Sequence, residues 1–301
     1  MAERGTAGAP VLALLANAFL WGISWWPFRE LQQHGVHPLW STAFTFVVSF
    51  LCIAAFRPGA WRHFAAAPGL WLLALASGVT NVGFNWGVTI GDVVRVVLLF
   101  YLMPAWSVLL AWPLLGERPN AAALARLALA LAGVGIVLDT GGAGWPWPSG
   151  LADWLGLLGG ASFALTNIML RKLNEVDAGA RMLAMFGGGA VLASAMAAVG
   201  TGAGFVSALP APDGRAGVIA LALAAGFLVS NMALQYGAAR LAAHTTALVM
   251  LSEVLFASFS SVALGAAELT GRVLAGAALI VAAAAWSAWP VRDAPRPAAH
   301  P

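Results

Sequence analysis

The chain has 301 residues, 61% of them hydrophobic and only 9% charged, with a mean hydropathy of +0.85. Soluble domains carry about 25% charged residues, so a water-soluble globule and a disordered chain are both excluded and an integral membrane protein is left. The formal charge of +3 does not point to nucleic acid, because the basic residues stand singly between apolar stretches and build no patch.

A helix needs about 20 apolar residues to cross the ~30 Å hydrocarbon core. Charged residues and Pro/Gly-rich breaks divide the chain into ten such stretches. The first five are Val11–Phe28, Leu39–Phe56, Gly69–Ile90, Val96–Leu115 and Ala121–Leu138. The second five are Leu151–Leu170, Met182–Gly200, Gly217–Ala239, His244–Leu264 and Val273–Pro290. Short loops and two tails, 1–10 and 291–301, account for the rest, so no soluble catalytic domain fits. Arg4, an apolar run and Ala16-Asn17-Ala18 mimic a signal peptide with its cleavage site. The run continues past that point to Phe28 and has a counterpart in the second half, so it is read as the first helix.

Cations flank spans mainly on the cytoplasmic side. With the N-terminus in the cytoplasm, Arg4, Arg57, Arg62, Arg118, Arg126, Arg171, Lys172, Arg181, Arg240, Arg292 and Arg296 fall inside, against Arg29, Arg95, Arg215 and Arg272 outside. Both termini are therefore expected in the cytoplasm, with Arg126, inside the fifth span, snorkelling to the inner surface.

The sequence repeats weakly. A shift of 150 residues lays Asn81 on Asn231, Asn85 on Gln235 and Trp86-Gly87 on Tyr236-Gly237. A shift of 143 lays Ser24 on Asn167 and Arg29 on Lys172. Residues 11–140 and 151–290 thus read as two five-helix copies. Because five is odd, the second copy enters the membrane from the opposite side. Such inverted repeats are typical of secondary transporters working by alternating access.

Polar groups inside the bilayer need partners there and mark function. Asn81 and Asn85, four residues apart, share one face of the third helix, while Gly83, Gly87 and Gly91 occupy the opposite face and allow a neighbour to come close. Asn231 and Gln235 repeat the amide stripe in the second half. Inter-helix hydrogen bonding and a central cavity both account for these amides. In the first helix Asn17, Trp21, Ser24 and Trp25 form a polar and aromatic face, matched by Phe163, Thr166 and Asn167 in the sixth. Glu253 is the one acid well inside a span. Burying its charge costs about 2.5–3.5 kcal/mol on insertion scales, which leaves three uses open: an ammonium contact, proton coupling, or a structural bond to an amide. Pro104 interrupts the fourth helix and cannot donate to the carbonyl of Phe100, leaving that oxygen free for a ligand beside Tyr101 and Trp106.

No phosphate-binding Gly-x-x-x-x-Gly-Lys loop, His-Glu-x-x-His or Gly-x-Ser-x-Gly is present, and the histidines form no ligand pair on a helix face. Single Cys52 rules out an intramolecular disulfide and a cysteine metal site. No enzyme and no cofactor is implied.

Leu20-Trp21-Gly22-Ile23-Ser24, Pro104 followed by Leu114-Leu115-Gly116-Glu117, and the duplicated half resemble the ten-helix EamA-type exporters of the drug/metabolite transporter superfamily. The likeness runs from Val11 to Pro290 and is greatest to the YddG-type exporters of amino acids, aromatic ones included, in bacterial inner membranes. Val254 stands where Pro104 does in the other half, and Gly265-Ala266-Ala267-Glu268 replaces the Leu-Gly-Glu ending, which removes the sequence basis for a symmetric hinge.

The resemblance implies an all-α polytopic exporter of small molecules, here amino acids, embedded in the lipid bilayer of a bacterial inner membrane. Its cavity would be lined by Asn17, Trp21, Asn81, Asn85, Tyr101, Asn167, Asn231, Gln235 and Glu253. Nucleobases, other metabolites or drugs are alternative cargo, and a channel or structural subunit is an alternative class. The sequence leaves the oligomeric state open and is compatible with a monomer.

Overall fold

Water is absent from a bilayer core, so a crossing segment satisfies its backbone within a helix or a closed barrel. The computed structural model describes residues 8–116, 121–138, 147–211, 213–238, 240 and 249–288, and among these all regular structure is helical. The helices are α1 (Gly8–Ile23), α2 (Trp25–Gln33), α3 (Pro38–Phe56), α4 (His63–Ala66), α5 (Gly69–Ile90), α6 (Val93–Phe100) and α7 (Met103–Leu115). They continue as α8 (Ala121–Leu138), α9 (Leu151–Lys172), α10 (Ala178–Gly202), α11 (Gly214–Ala238), α12 (Ser252–Ala263) and α13 (Gly271–Ala288).

Five segments are long and apolar enough to cross a membrane: Gly8–Gln33, Pro38–Phe56, Val93–Leu110, Ala178–Gly202 and Gly214–Gly237. Gly69–Ile90 joins them when taken with Pro58–Ala66, to which it is bent by 112°. Ala121–Val137, Ser252–Ala263 and Gly271–Trp286 are shorter apolar helices. Of the ten stretches expected from sequence, five or six meet the length and apolarity of a span among the described residues. The reason is visible in α5, diluted by Ser77, Thr80, Asn81 and Asn85, and in α9, which carries Asp153, Arg171 and Lys172.

Two of the long segments are interrupted. Between α1 and α2 the chain turns at Ser24, whose hydroxyl donates to the carbonyl of Trp21 at 2.8 Å. Pro27 supplies the cause, since it lacks the N–H that Ile23 would accept and its ring crowds that carbonyl. Between α6 and α7 the helix breaks at Tyr101–Leu102. A further turn falls at Leu251, ahead of α12. At a shift of 150 residues that turn lies on Tyr101, so the interruption recurs in the second half although Val254 replaces Pro104.

Glycine allows the closest helix pairs. A Cβ on Gly83 would meet the carbonyl of Leu155 at 2.8 Å, and Gly91 faces Ala152, so the glycine stripe of α5 lies against α9. Gly78 meets Gly188 between α5 and α10, and Gly133 meets Gly276 between α8 and α13. The remaining partnerships follow a pattern under exchange of the two halves. The pair α5–α9 has its counterpart in α11–α1, and α5–α10 in α11–α3, while α9 against α6 and α7 corresponds to α1 against α12.

The bundle has two distinct ends. At one, Arg95 reaches Asp153 through two bonds of 2.8 Å and the carbonyl of Val137 at 2.7 Å, tying α6, α9 and α8 together. At the same end Arg29 donates to the carbonyls of Val88 and Gly91, and Arg215 pairs with Glu30 at 2.7 Å. At the other end Gly69 packs on Met169 and Leu173, Gly237 on Pro10 and Leu14, and Gly179 near Arg57. These are called the Arg95 end and, for the residue that starts the next section of wall, the Arg181 end. Arg126 lies over the Trp286 ring at 5.8 Å, with its Nε buried and without a hydrogen-bond partner among the described residues.

Candidate functional site

A cavity of about 760 Å³ runs through the middle of the bundle, within the range of small-molecule sites. Its walls come from α1, α3, α5, α6, α7, α9, α10, α11 and the turn leading into α12. The lining reaches the Arg181 end through Leu170, Arg171, Asn174 and Arg181. None of the Arg95, Asp153, Arg29 or Glu30 side chains lines it, so the ion-paired end lies outside the cavity.

The aromatic wall is built from both halves. Trp21 stacks on Phe227 with ring centres 4.4 Å apart and an interplanar angle of 21°. Its edge contact is Phe84 at 5.8 Å, which in turn meets Phe100 at 4.9 Å, and Phe100 meets Phe163 at 5.3 Å. Such pairs each hold about 0.5–1.5 kcal/mol beyond area burial and fix ring orientation.

Polar groups punctuate that wall. Asn17 Nδ2 donates to the Ser230 carbonyl at 2.9 Å and to Ser230 Oγ at 2.6 Å, while its Oδ1 is buried without a partner among the described residues. Asn81 Nδ2 donates back one turn to the Ser77 carbonyl at 2.8 Å. The amide of Asn167 makes no side-chain hydrogen bond among the described residues. Asn231 Oδ1 accepts from Gln235 Nε2 at 2.8 Å. At the helix interruptions the Tyr101 hydroxyl donates to Glu253 Oε2 at 2.9 Å, with the Met250 carbonyl 3.1 Å away. Tyr101 is 3% and Glu253 6% exposed, so this pair closes the deepest part of the site.

Of the residues expected to line a cavity, Asn17, Trp21, Asn81, Tyr101, Asn167, Asn231 and Glu253 do so. Asn85 does not. It is fully buried between α5 and α3, where Nδ2 approaches Thr42 Oγ1 at 3.4 Å, because one helical turn beyond Asn81 the neighbour is α3 and no longer open space. Gln235 does not line the cavity and donates to Asn231, which does. The Phe100 carbonyl, expected to be free for a ligand, is covered by Gly160 of α9, which approaches so closely that no side chain fits. Pro104 lies in the first turn of α7, just past the break. Trp25, on the predicted polar and aromatic face, points elsewhere and donates from Nε1 to Ser260 Oγ at 3.0 Å.

Sequence reasoning passed over Ser77, Thr80, Phe84, Phe227, Asn174, Arg171 and Arg181, all part of the lining. Ser77 and Phe84 sit one turn either side of Asn81 and were legible from helical spacing. The arginines had been counted only as charges flanking spans.

Residues 8–139 match the model of the EamA-like transporter family. No curated protein matches the chain. Among solved structures 13 chains match. One of them, a crystal structure titled only as that of a protein, superposes with a TM-score of 0.53 at 18% identity, over 93% of this chain and 96% of its own. That likeness carries the helical fold to the second half, beyond the family match. The family match spans less than half of the chain, and over it the chain is similar to EamA-like transporters; with the apolar helices this supports a multi-pass membrane protein.

Proposed function

We propose that the protein is a YddG-type exporter that moves aromatic and other neutral amino acids out of the bacterial cytoplasm by alternating access. The observation that carries the reading is the cavity at the two helix interruptions, where an aromatic wall meets unpartnered amide groups and Glu253. Interrupted helices at mid-membrane are where inverted-repeat transporters bind their cargo. Trp21 and Phe84 offer faces and edges to an apolar or aromatic side chain, and Asn17 Oδ1, the Asn167 amide and Glu253 offer acceptors to an ammonium group.

Ten spans in two inverted copies, 11–140 and 151–290, complete this reading, with both termini in the cytoplasm. The exchange pattern of helix partners supports the inversion, and so does the placement of Pro10, at the start of α1, beside Gly237 at the end of α11. With the Arg181 end in the cytoplasm, the cavity faces the compartment from which an exporter loads.

Counterflow in proteoliposomes tests it. Vesicles loaded with unlabelled amino acids and presented with labelled tryptophan are expected to accumulate label transiently. No accumulation, in vesicles holding folded protein, removes the amino-acid assignment.

A further inference from the structure

A site built for neutral amino acids with an acid at its deep end has a difficulty: Glu253 attracts the ammonium of the cargo but repels its carboxylate. We propose that Arg181, together with Arg171 and Asn174 on the same stretch of wall, forms a separate carboxylate-capture subsite at the mouth of the cavity. This rests on the transporter reading of that cavity and names what the cargo must carry.

Arg181 differs from the arginines of the opposite end. There, Arg29 is held by the Val88 and Gly91 carbonyls, Arg95 by Asp153 and Val137, and Arg215 by Glu30. Arg240 lies over the Tyr236 ring at 3.9 Å, and Arg126 over Trp286. By contrast, the guanidinium of Arg181 has no ion pair and no hydrogen bond among the described residues, although it is half-buried and lines the cavity. The acids nearest in sequence form no ion pair with it among the described residues. Asp177 Oδ1 is engaged as the cap of α10, accepting from Ala180 N at 3.0 Å, and Glu175 is exposed in the loop.

A guanidinium presents a fork of donors that matches a carboxylate in two parallel bonds. Arg171 adds charge at the mouth, and Asn174 and Asn167 add amide donors. The ammonium and carboxylate of an amino acid lie on one carbon, whereas Glu253 opens α12 at the helix interruption and Arg181 lies near the start of α10. The cargo therefore enters with its carboxylate held at the mouth. It then passes inward to Glu253, where the amides of the central wall take over the carboxylate.

Three labelled indoles separate the charges: tryptophan has both, indole-3-acetate only the carboxylate, tryptamine only the ammonium. Binding to the purified full-length protein is measured by scintillation proximity. Arg181→Gln is expected to weaken indole-3-acetate about tenfold, which corresponds to one lost charge-assisted contact, to slow the association of tryptophan about tenfold, and to leave tryptamine unchanged. Arg181→Lys keeps the charge but not the fork, so both carboxylates should lose less than with Arg181→Gln without returning to the wild-type level. Arg181→Met, which keeps the aliphatic stem, carries the same expectation as Arg181→Gln should that variant not fold. The subsite is overturned if the variants shift all three ligands equally or none, or if the wild type binds neither carboxylate. If wild-type vesicles show no tryptophan counterflow while indole-3-acetate binds in an Arg181-dependent way, the amino-acid assignment falls and the subsite stands.

Discussion

Tyr101 and Glu253 lie 152 positions apart in the chain and are joined by a hydrogen bond of 2.9 Å. One residue caps α6 at its break and the other opens α12 after its turn, so the bond links the two interrupted helices across the halves of the molecule. Both are almost wholly buried, which makes the pair the point where a charge on the cargo would be felt most strongly. Tyr101→Phe leaves a carboxylate oxygen without its donor at a cost of about 1–3 kcal/mol. Tryptophan counterflow should fall about tenfold while the amount of protein in the membrane is unchanged. Glu253→Gln should weaken tryptophan and tryptamine but not indole-3-acetate, as read by direct binding, since only the first two bear an ammonium.

Trp21 is expected to be the most sensitive part of the aromatic wall. Its stack on Phe227 and its edge on Phe84 hold one indole against both halves. Trp21→Ala should abolish counterflow of labelled tryptophan, and Trp21→Phe should retain part of it, because a smaller ring keeps the stack but loses area. Normal transport by the alanine variant would remove Trp21 from the site.

Asp153 is 4% exposed and receives Arg95 through two bonds, with the Ser149 amide adding a third at 2.9 Å. Removing one member of such a pair strands the other charge, at about 3–5 kcal/mol. Asp153→Asn should therefore lower the melting temperature in detergent by several degrees. The same change should raise labelling of cysteines placed at the Arg95 end, since that network ties α6, α8 and α9 there. An unaltered melt would show that the network does not hold that end.

The glycine contacts make a purely steric prediction. Gly78 and Gly188 bring the backbones of α5 and α10 together, and the atoms in the way are backbone carbonyls that cannot rotate aside. Gly188→Val should destabilise by more than the ~1–3 kcal/mol of ordinary overpacking and should appear as lost expression. Gly135→Val, where nothing lies within 4 Å of the added carbon, should express normally.

His37 gives a pH dependence at the Arg95 end. Its Nδ1 accepts from Leu39 N at 3.2 Å as the cap of α3, and burial holds the imidazole below its ordinary range. Folded protein thus binds fewer protons at this site than unfolded protein. The stabilisation is present above about pH 6.5, the unfolded value, and is lost as pH falls through the lower folded value. Thermal melts from pH 7 to pH 5 should decline, and His37→Asn, which caps without titrating, should flatten that slope.

Much was legible in the residues because a bilayer imposes simple rules. Apolar length marked the helices, and it is weakest as a signal where polar groups dilute α5 and α9. Helical spacing separated the glycine face of α5 from its amide face, and α9 does pack on the glycines. Spacing could not separate Asn81 from Asn85, since both share one face and only the position of α3 decides which of them meets open space.

Composition and periodicity alone determined that this chain is helical and membrane-embedded, because solvent exclusion acts on every residue in the same way. What lay across the halves depended on tertiary packing: the pairing of Tyr101 with Glu253, the covering of the Phe100 carbonyl by Gly160, and an Arg181 without a partner among the described residues while the arginines at the far end are satisfied. Each of these is a relationship between helices distant in sequence. Local preferences carry no information about which distant carbonyl or carboxylate a side chain will reach, so the chemistry of the cavity emerges only when the helices are assembled.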